Sequence, residues 1–116
     1  MQYLCLIYSD ESIQQAMSES ERAEYIGAYG TFTQSIKKTG AMVGGEALLP
    51  VASAVTVRVR NGQVVTTDGP FAETKEQLGG YYLVEAPDIE AACAIAARIP
   101  TATHGCVEVR SLMIWG

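Results

Sequence analysis

The chain has 116 residues, is 48% hydrophobic and holds four prolines, which fits one compact domain, residues 1–116, and excludes a disordered or fibrous chain. Thirteen acidic against eight basic side chains give a formal charge of −5, which repels phosphate backbones and argues against a nucleic-acid partner. Cys5, Cys93 and Cys106 share no C-x-x-C spacing, so they read as free thiols, with no metal and no cofactor implied.

The chain begins MQYLCLIYSDE, with no basic leader, and its apolar run is far below the roughly 18 residues that a membrane span requires. The expectation is a cytoplasmic protein with no membrane partner. Tyr3 to Tyr8 reads as a first strand, and the SDES that follows reads as a turn. Ser18 and Glu21 then form an S-x-x-E capping box that opens a helix, which Gly40 ends. Tyr25, Tyr29, Phe32 and Ile36 recur at helical spacing and make a stripe that faces a core. Lys37 and Lys38 suit the negative end of that helix.

Ala41 to Leu49 is a second extended segment, closed by Pro50. From Ser53 the chain alternates, with Val55, Val57 and Val59 on one face and Thr56, Arg58 and Arg60 on the other. Asn61-Gly62 is the dipeptide a type I′ hairpin prefers, since both central residues need positive φ, and Gln63 to Thr67 pairs back. Gly80 to Ala86 is a further strand. Asp88 caps a second helix, IEAACAIAARI, which Pro100 terminates, and Val107 to Leu112 is the last strand.

The order is β-α-β, an inserted hairpin, then β-α-β, which is the α+β, ferredoxin-like split βαβ sheet with an inserted β-hairpin. In that plan YLCLIY and YYLVEA are the central strands, and both are apolar on both faces. Two helices cover only one face. The other is covered either by a second copy, giving a homodimer with sheets face to face, or by long side chains and the hairpin curling over it.

VGGEAL (Val43 to Leu48), TVRVRNGQ (Thr56 to Gln63), TDGPFAETKEQLGGYYLVE (Thr67 to Glu85), AARIP (Ala96 to Pro100) and GCVEVR (Gly105 to Arg110) resemble the DGPF-domain branch of the YciI-related proteins. The resemblance runs in order along nearly the whole chain. It implies ferredoxin-like protomers pairing into a dimeric α+β barrel, and it implies no single activity. Related YciI-type proteins include a lyase-like enzyme acting on a chlorinated hydroxyquinone, with a His and an acidic residue as its proposed active pair. Here the position of that His falls on Tyr29, a weak base at neutral pH, and the chain's one histidine is His104.

Asp68-Gly69-Pro70 turns the chain out of the hairpin, and Phe71, Glu73, Lys75 and Glu76 follow within a few residues. These are either solvated loop charges or a site beside Gly79-Gly80. In the site reading Asp68 or Glu73 is the catalytic acid or base, Lys75 binds an anionic group, and Phe71 forms an apolar wall. Glu46 in its apolar segment is either an inward carboxylate at the same site or an outward one on an alternating strand. With Tyr29 it completes the ligand-binding set. His104, alone in a loop, carries no assignment.

Two functions follow. One is a cofactor-free protein that binds or transforms a small, anionic or hydroxylated organic molecule by acid–base chemistry in a dimer cleft. The other is a non-catalytic sensor or accessory protein, for which the family resemblance implies a sigma-factor regulatory system.

Overall fold

The computed structural model describes residues 1–115. In chain order they form β1 (Gln2–Ser9), α1 (Glu11–Gln15), α2 (Glu19–Lys38), β2 (Met42–Ala47), β3 (Val55–Arg60), β4 (Gln63–Asp68), β5 (Gln77–Glu85), α3 (Ile89–Ala96) and β6 (Cys106–Ser111). A four-stranded antiparallel sheet has the order β2-β5-β1-β6, and β3 and β4 form a separate two-stranded ribbon. This is the α+β ferredoxin-like plan with an inserted hairpin. The two apolar strands, β1 and β5, are central.

The helix ends are built as the sequence reads. The Ser18 hydroxyl accepts from the Glu21 N–H at 3.2 Å while the Glu21 carboxylate accepts from the Ser18 N–H at 3.0 Å, so two orphan donors of α2 are satisfied together. Gly40, at φ 78°, carries the chain out of the helix. Asp88 caps α3 by accepting from Ala91 N–H at 2.8 Å. Asn61 and Gly62 take φ values of 52° and 74°, as a type I′ hairpin turn requires.

Three elements differ from the sequence reading. The SDES segment contains α1, whose N-cap Asp10 accepts from the Ser12 N–H and hydroxyl. Strand β5 begins at Gln77 rather than at Gly80, so Gly79-Gly80 lies within it rather than at its start. Helix α3 stops at Ala96, and Pro100 opens a 3-10 turn over Pro100–Thr103.

Alternation divides the sheet. Tyr3, Cys5 and Ile7 of β1 and Tyr82 and Val84 of β5 face the helices and are buried against Phe32, Ile36, Ala92, Ala96 and Ile99. Each fully buried large side chain contributes about 1.5–3 kcal/mol by its removal from water. Leu4, Leu6, Tyr8, Tyr81 and Leu83 point the other way and are half-buried. The molecule measures 48 × 48 × 19 Å, so its thin dimension holds little more than one helix layer on one sheet. The ribbon therefore extends the plate sideways and leaves the second sheet face open.

Candidate functional site

Under the first half of α2, where β1 ends and β5 begins, lies a cavity of about 530 Å³. Tyr25, Tyr29 and Thr33 of α2 form its roof, and Tyr82, Gly80 and Gly45 form its floor. Gln14 and Met17 close the side toward α1, and Arg22 is the basic residue among its lining. Arg22 is exposed and donates to the Gln14 carbonyl at 3.1 Å, so its guanidinium is held at the mouth.

The floor exists because two of its residues lack side chains. A Cβ on Gly45 would stand 2.9 Å from both the Tyr81 carbonyl oxygen and the Tyr82 ring, and one on Gly80 would stand 2.8 Å from the Glu46 carbonyl oxygen. The backbone of β2 can therefore approach β5 closely, with the Tyr82 ring lying across Gly45.

Several hydroxyl groups line the cavity. Thr101, 1% exposed, meets the hydroxyls of both Tyr25 and Tyr29, the latter at 2.5 Å. Across the cavity the Tyr82 and Thr33 hydroxyls are 2.6 Å apart. The rings are fixed by one another. Tyr25 meets Tyr29 edge-on at 5.3 Å, and Tyr29 lies parallel to Tyr82 at 6.5 Å. Burial carries the Tyr29 phenol well above its ordinary range, against the lowering effect of its bond to Thr101, so it stays protonated. It can give or take a hydrogen bond but cannot serve as a base at neutral pH.

Of the residues singled out from sequence, the structure brings Tyr29 and Glu46 to this cavity. Glu46 borders it from β2, but its side chain is exposed, and its register with Tyr81 and that of Tyr81 with Leu6 put it on the open sheet face. Asp68 ends β4, exposed, and the turn beyond it is held by the Gly69 N–H on the Ala54 carbonyl at 2.7 Å and by the Thr56 hydroxyl on the Gly69 carbonyl at 2.8 Å. Phe71 is 80% exposed, and Glu73 and Lys75 are exposed on the same loop. None of these four lines the cavity within one chain.

The loop is nevertheless linked to the cavity through α1. The Asp10 carboxyl is held below its usual range by the Ser12 hydroxyl and N–H and, further off, by the Lys75 ammonium. Asp10 caps α1, whose Gln14 lines the cavity. Gln77 accepts from the Glu11 N–H at 2.9 Å, and Glu11 accepts from the Val51 N–H at 2.9 Å, so α1 ties the loop and the ribbon's approach to the end of the sheet.

Sequence reasoning missed Tyr25, Tyr82, Thr101 and Arg22. The α2 stripe reads as core, and only its far half, Phe32 and Ile36, is buried; Tyr25 and Tyr29 are half-exposed. The signal was Gly45, which cannot be explained by a turn. His104 lies on the other flank of α2, with its ring 5.8 Å from Tyr25 in a shallower depression shared with Glu21, Glu24 and Arg98.

The whole chain, residues 1–116, matches the model of the YCII-related domain. The chain belongs to the YCII-related family. It is 33% identical over 117 residues to an uncharacterized protein of Rhizobium meliloti (strain 1021), covering 99% of this chain and 94% of that one. Among solved structures, this YCII-related chain is similar in fold to 5-chloro-2-hydroxyhydroquinone dehydrochlorinase (TftG) from Burkholderia phenoliruptrix AC1100, solved in complex with 2,5-dihydroxybenzoquinone. The TM-score is 0.56 at 14% identity, over 97% of this chain and 94% of that one. Among the described residues no helix is long and apolar enough to cross a membrane.

Proposed function

We propose that the chain is a single DGPF-branch domain that works in the cytoplasm as a homodimer and binds a small hydroxylated or anionic ring compound in the cavity under α2. The observation that carries this reading is the pairing of phenolic and threonine hydroxyls on the cavity walls with the Arg22 guanidinium at its mouth. Ring hydroxyls or keto oxygens would exchange hydrogen bonds with Tyr29 and Tyr82, and a phenolate or carboxylate would meet Arg22. The size is suitable. A cavity of this volume is in the range of small-ligand sites and accepts one substituted ring. The quinone held by the dehydrochlorinase of like fold belongs to the same chemical class.

If chemistry occurs, Asp68 or Glu73 supplies the acid or base, with Phe71 as the apolar wall and Lys75 as the anion ligand, brought in from the rim or from the partner's loop. The Lys75 ammonium acting at a distance on Asp10, which caps the helix that carries Gln14 to the cavity, supports an approach from the rim. A second reading, a non-catalytic sensor or an accessory to a sigma-factor system, is favoured by the protonated Tyr29, which leaves the cavity wall without a base at that position.

Calorimetric titration with 2,5-dihydroxybenzoquinone and a set of hydroxybenzoates tests the site. Binding weakened about tenfold or more by Tyr29→Phe or Arg22→Ala is expected. No binding by any of these compounds, or binding indifferent to both substitutions, would remove the cavity from the account. Proton NMR of the bound compound over hours separates the two readings, since a sensor returns it unchanged.

A further inference from the structure

The ribbon of β3 and β4 is an unusual thing for a chain of this size to carry. One of its faces holds Val55, Val57, Val59 and Val64, each more than half exposed, because Val59 pairs with Val64 and the alternation puts the other valines beside them. A two-stranded ribbon alone is marginally stable in water. A row of bare valines along it is a surface shaped for a partner.

The ribbon cannot reach its own open sheet face, because the molecule is only 19 Å thick along its short axis. Its radius of gyration, 16.2 Å, exceeds the ~13 Å of a compact chain of about this length, as expected for an arm projecting from a plate. The arm's base is fixed: Gly69 bonds to Ala54, and Glu11, the first residue of α1 just beyond β1, holds Val51 just before it. It therefore leaves the body at the end of the same sheet whose open face presents Leu4, Leu6, Tyr81 and Leu83.

We infer that this ribbon is an arm that clasps a second copy of the chain, its valine face lying on the partner's flank. The inference rests on the face-to-face pairing proposed above and extends it. When two plates pair by their open faces, an arm that overruns the edge of its own plate runs beside the other. Charge favours that occupant. Arg58 and Arg60 lie on the ribbon's other face, yet they make the arm as a whole basic on a chain of net charge −5, so a second copy offers it an acidic body. The same net charge works against an anionic membrane.

The test uses the intact chain in two measurements. Sedimentation equilibrium is run on wild type, on Leu6→Asp, and on the double variant Val57→Asp with Val59→Asp. Both valines are about 60% exposed, so the double variant is expected to keep its circular dichroism while its dimer dissociates about tenfold more readily or worse. If the double variant matches wild type while Leu6→Asp is monomeric, the sheet pairing stands and the arm inference falls. If wild type is monomeric at every concentration, both fall. Amide exchange of wild type is the second readout, independent of any variant. Ribbon amides that exchange more slowly above the dissociation constant than below it support the arm. Exchange indifferent to concentration overturns it, and slowing only on addition of phosphatidylglycerol vesicles would assign the ribbon to a membrane instead.

Discussion

The Thr101 Oγ1 stands 2.5 Å from the phenolic oxygen of Tyr29 and also meets that of Tyr25, so one buried hydroxyl from the turn after α3 fixes two rings of α2. The two helices are thereby coupled through a polar contact at the back of the cavity. Thr101→Val keeps the shape and removes the partner. Two part-buried phenols then lose a hydrogen bond, which costs about 1–3 kcal/mol for each group left unsatisfied. Urea unfolding of Thr101→Val is expected to show that loss, and Thr101→Ser is expected to recover most of it. Equal stability of Thr101→Val and wild type would mean that the turn is held by packing alone.

Stability against alkali follows from two acids, the buried Cys5 thiol and the half-buried Tyr29 phenol. Burial, with a smaller effect of Cys93, pushes the Cys5 thiol from 9.0 up to about 11, and burial also raises the Tyr29 phenol above its ordinary 10.0. In both cases the fold favours the neutral form, so as pH rises the unfolded chain releases its proton first. The stabilisation from the thiol is complete below pH 9.0 and is lost between there and about 11, and for the phenol the loss begins near 10.0 and continues upward. The thiol's part is at most about 2–3 kcal/mol, at 1.36 kcal/mol per unit. Cys5→Ala is expected to lower stability at every pH through the lost packing, yet to flatten the decline that starts at pH 9.0. A Cys5→Ala profile parallel to that of wild type would overturn the assignment.

Much of the fold was legible because it is signalled locally. Asn61-Gly62, the Ser18 box and Asp88 each announce an element's end by the chemistry of one or two residues, and apolar runs gave the central strands. Helix α1 has only its cap, Asp10, and an Asp reads equally well as a turn residue. The helix is five residues long and buries nothing, so no apolar period exists to be read. Gly79-Gly80 misled for the opposite reason: the pair reads as a strand's start, whereas β5 begins three residues before Gly80, which must be glycine because a Cβ there would strike the Glu46 backbone. The site was half legible. Tyr29 was found by family resemblance, but Thr101 and Tyr82 join it from more than 50 residues away in the chain, and no spacing rule predicts that meeting. The charged loop stood out by composition, and its distance from the cavity is set by how the chain, or a pair of chains, folds over it.

Glycines at three positions make opposite predictions. Gly27 and Gly30 lie within α2, where a Cβ would meet nothing within 4 Å. Alanine at either is expected to raise stability by about 0.5–1 kcal/mol, since it reduces the freedom of the unfolded chain at no steric cost. Gly105 is the reverse, because a Cβ there would stand 2.1 Å from the Tyr8 carbonyl oxygen, and backbone cannot yield as a side chain can. Gly105→Ala is expected to cost about 1–3 kcal/mol by forcing β6 away from β1. Thermal unfolding of the three variants checks both signs. A Gly30→Ala chain less stable than wild type would show that this face of α2 is covered by something a single chain does not contain.

Neighbouring residues of β1 separate the fold from the proposed pairing. Ile7 is 7% exposed and faces the helices, whereas Leu6 is half-buried and faces away, between Tyr81 of β5 and Glu108 of β6. An aspartate at position 7 places an unpaired carboxylate in the core of the single chain, at a cost on the order of 4 kcal/mol or more, which is a large share of the stability of a domain this size. Ile7→Asp is expected to be unfolded or aggregated. An aspartate at position 6 is tolerable in one chain, because the open face leaves it water, but two such faces pressed together would bury a pair of like charges. Leu6→Asp is therefore expected to keep native circular dichroism and a cooperative melt while light scattering falls from about twice 12.4 kDa to a single chain mass. Leu6→Asp at the wild-type dimer mass would place the interface elsewhere. A wild-type mass of one chain would leave the open face to the solvent and end the pairing proposal, while the burial of Ile7 would still make Ile7→Asp destructive.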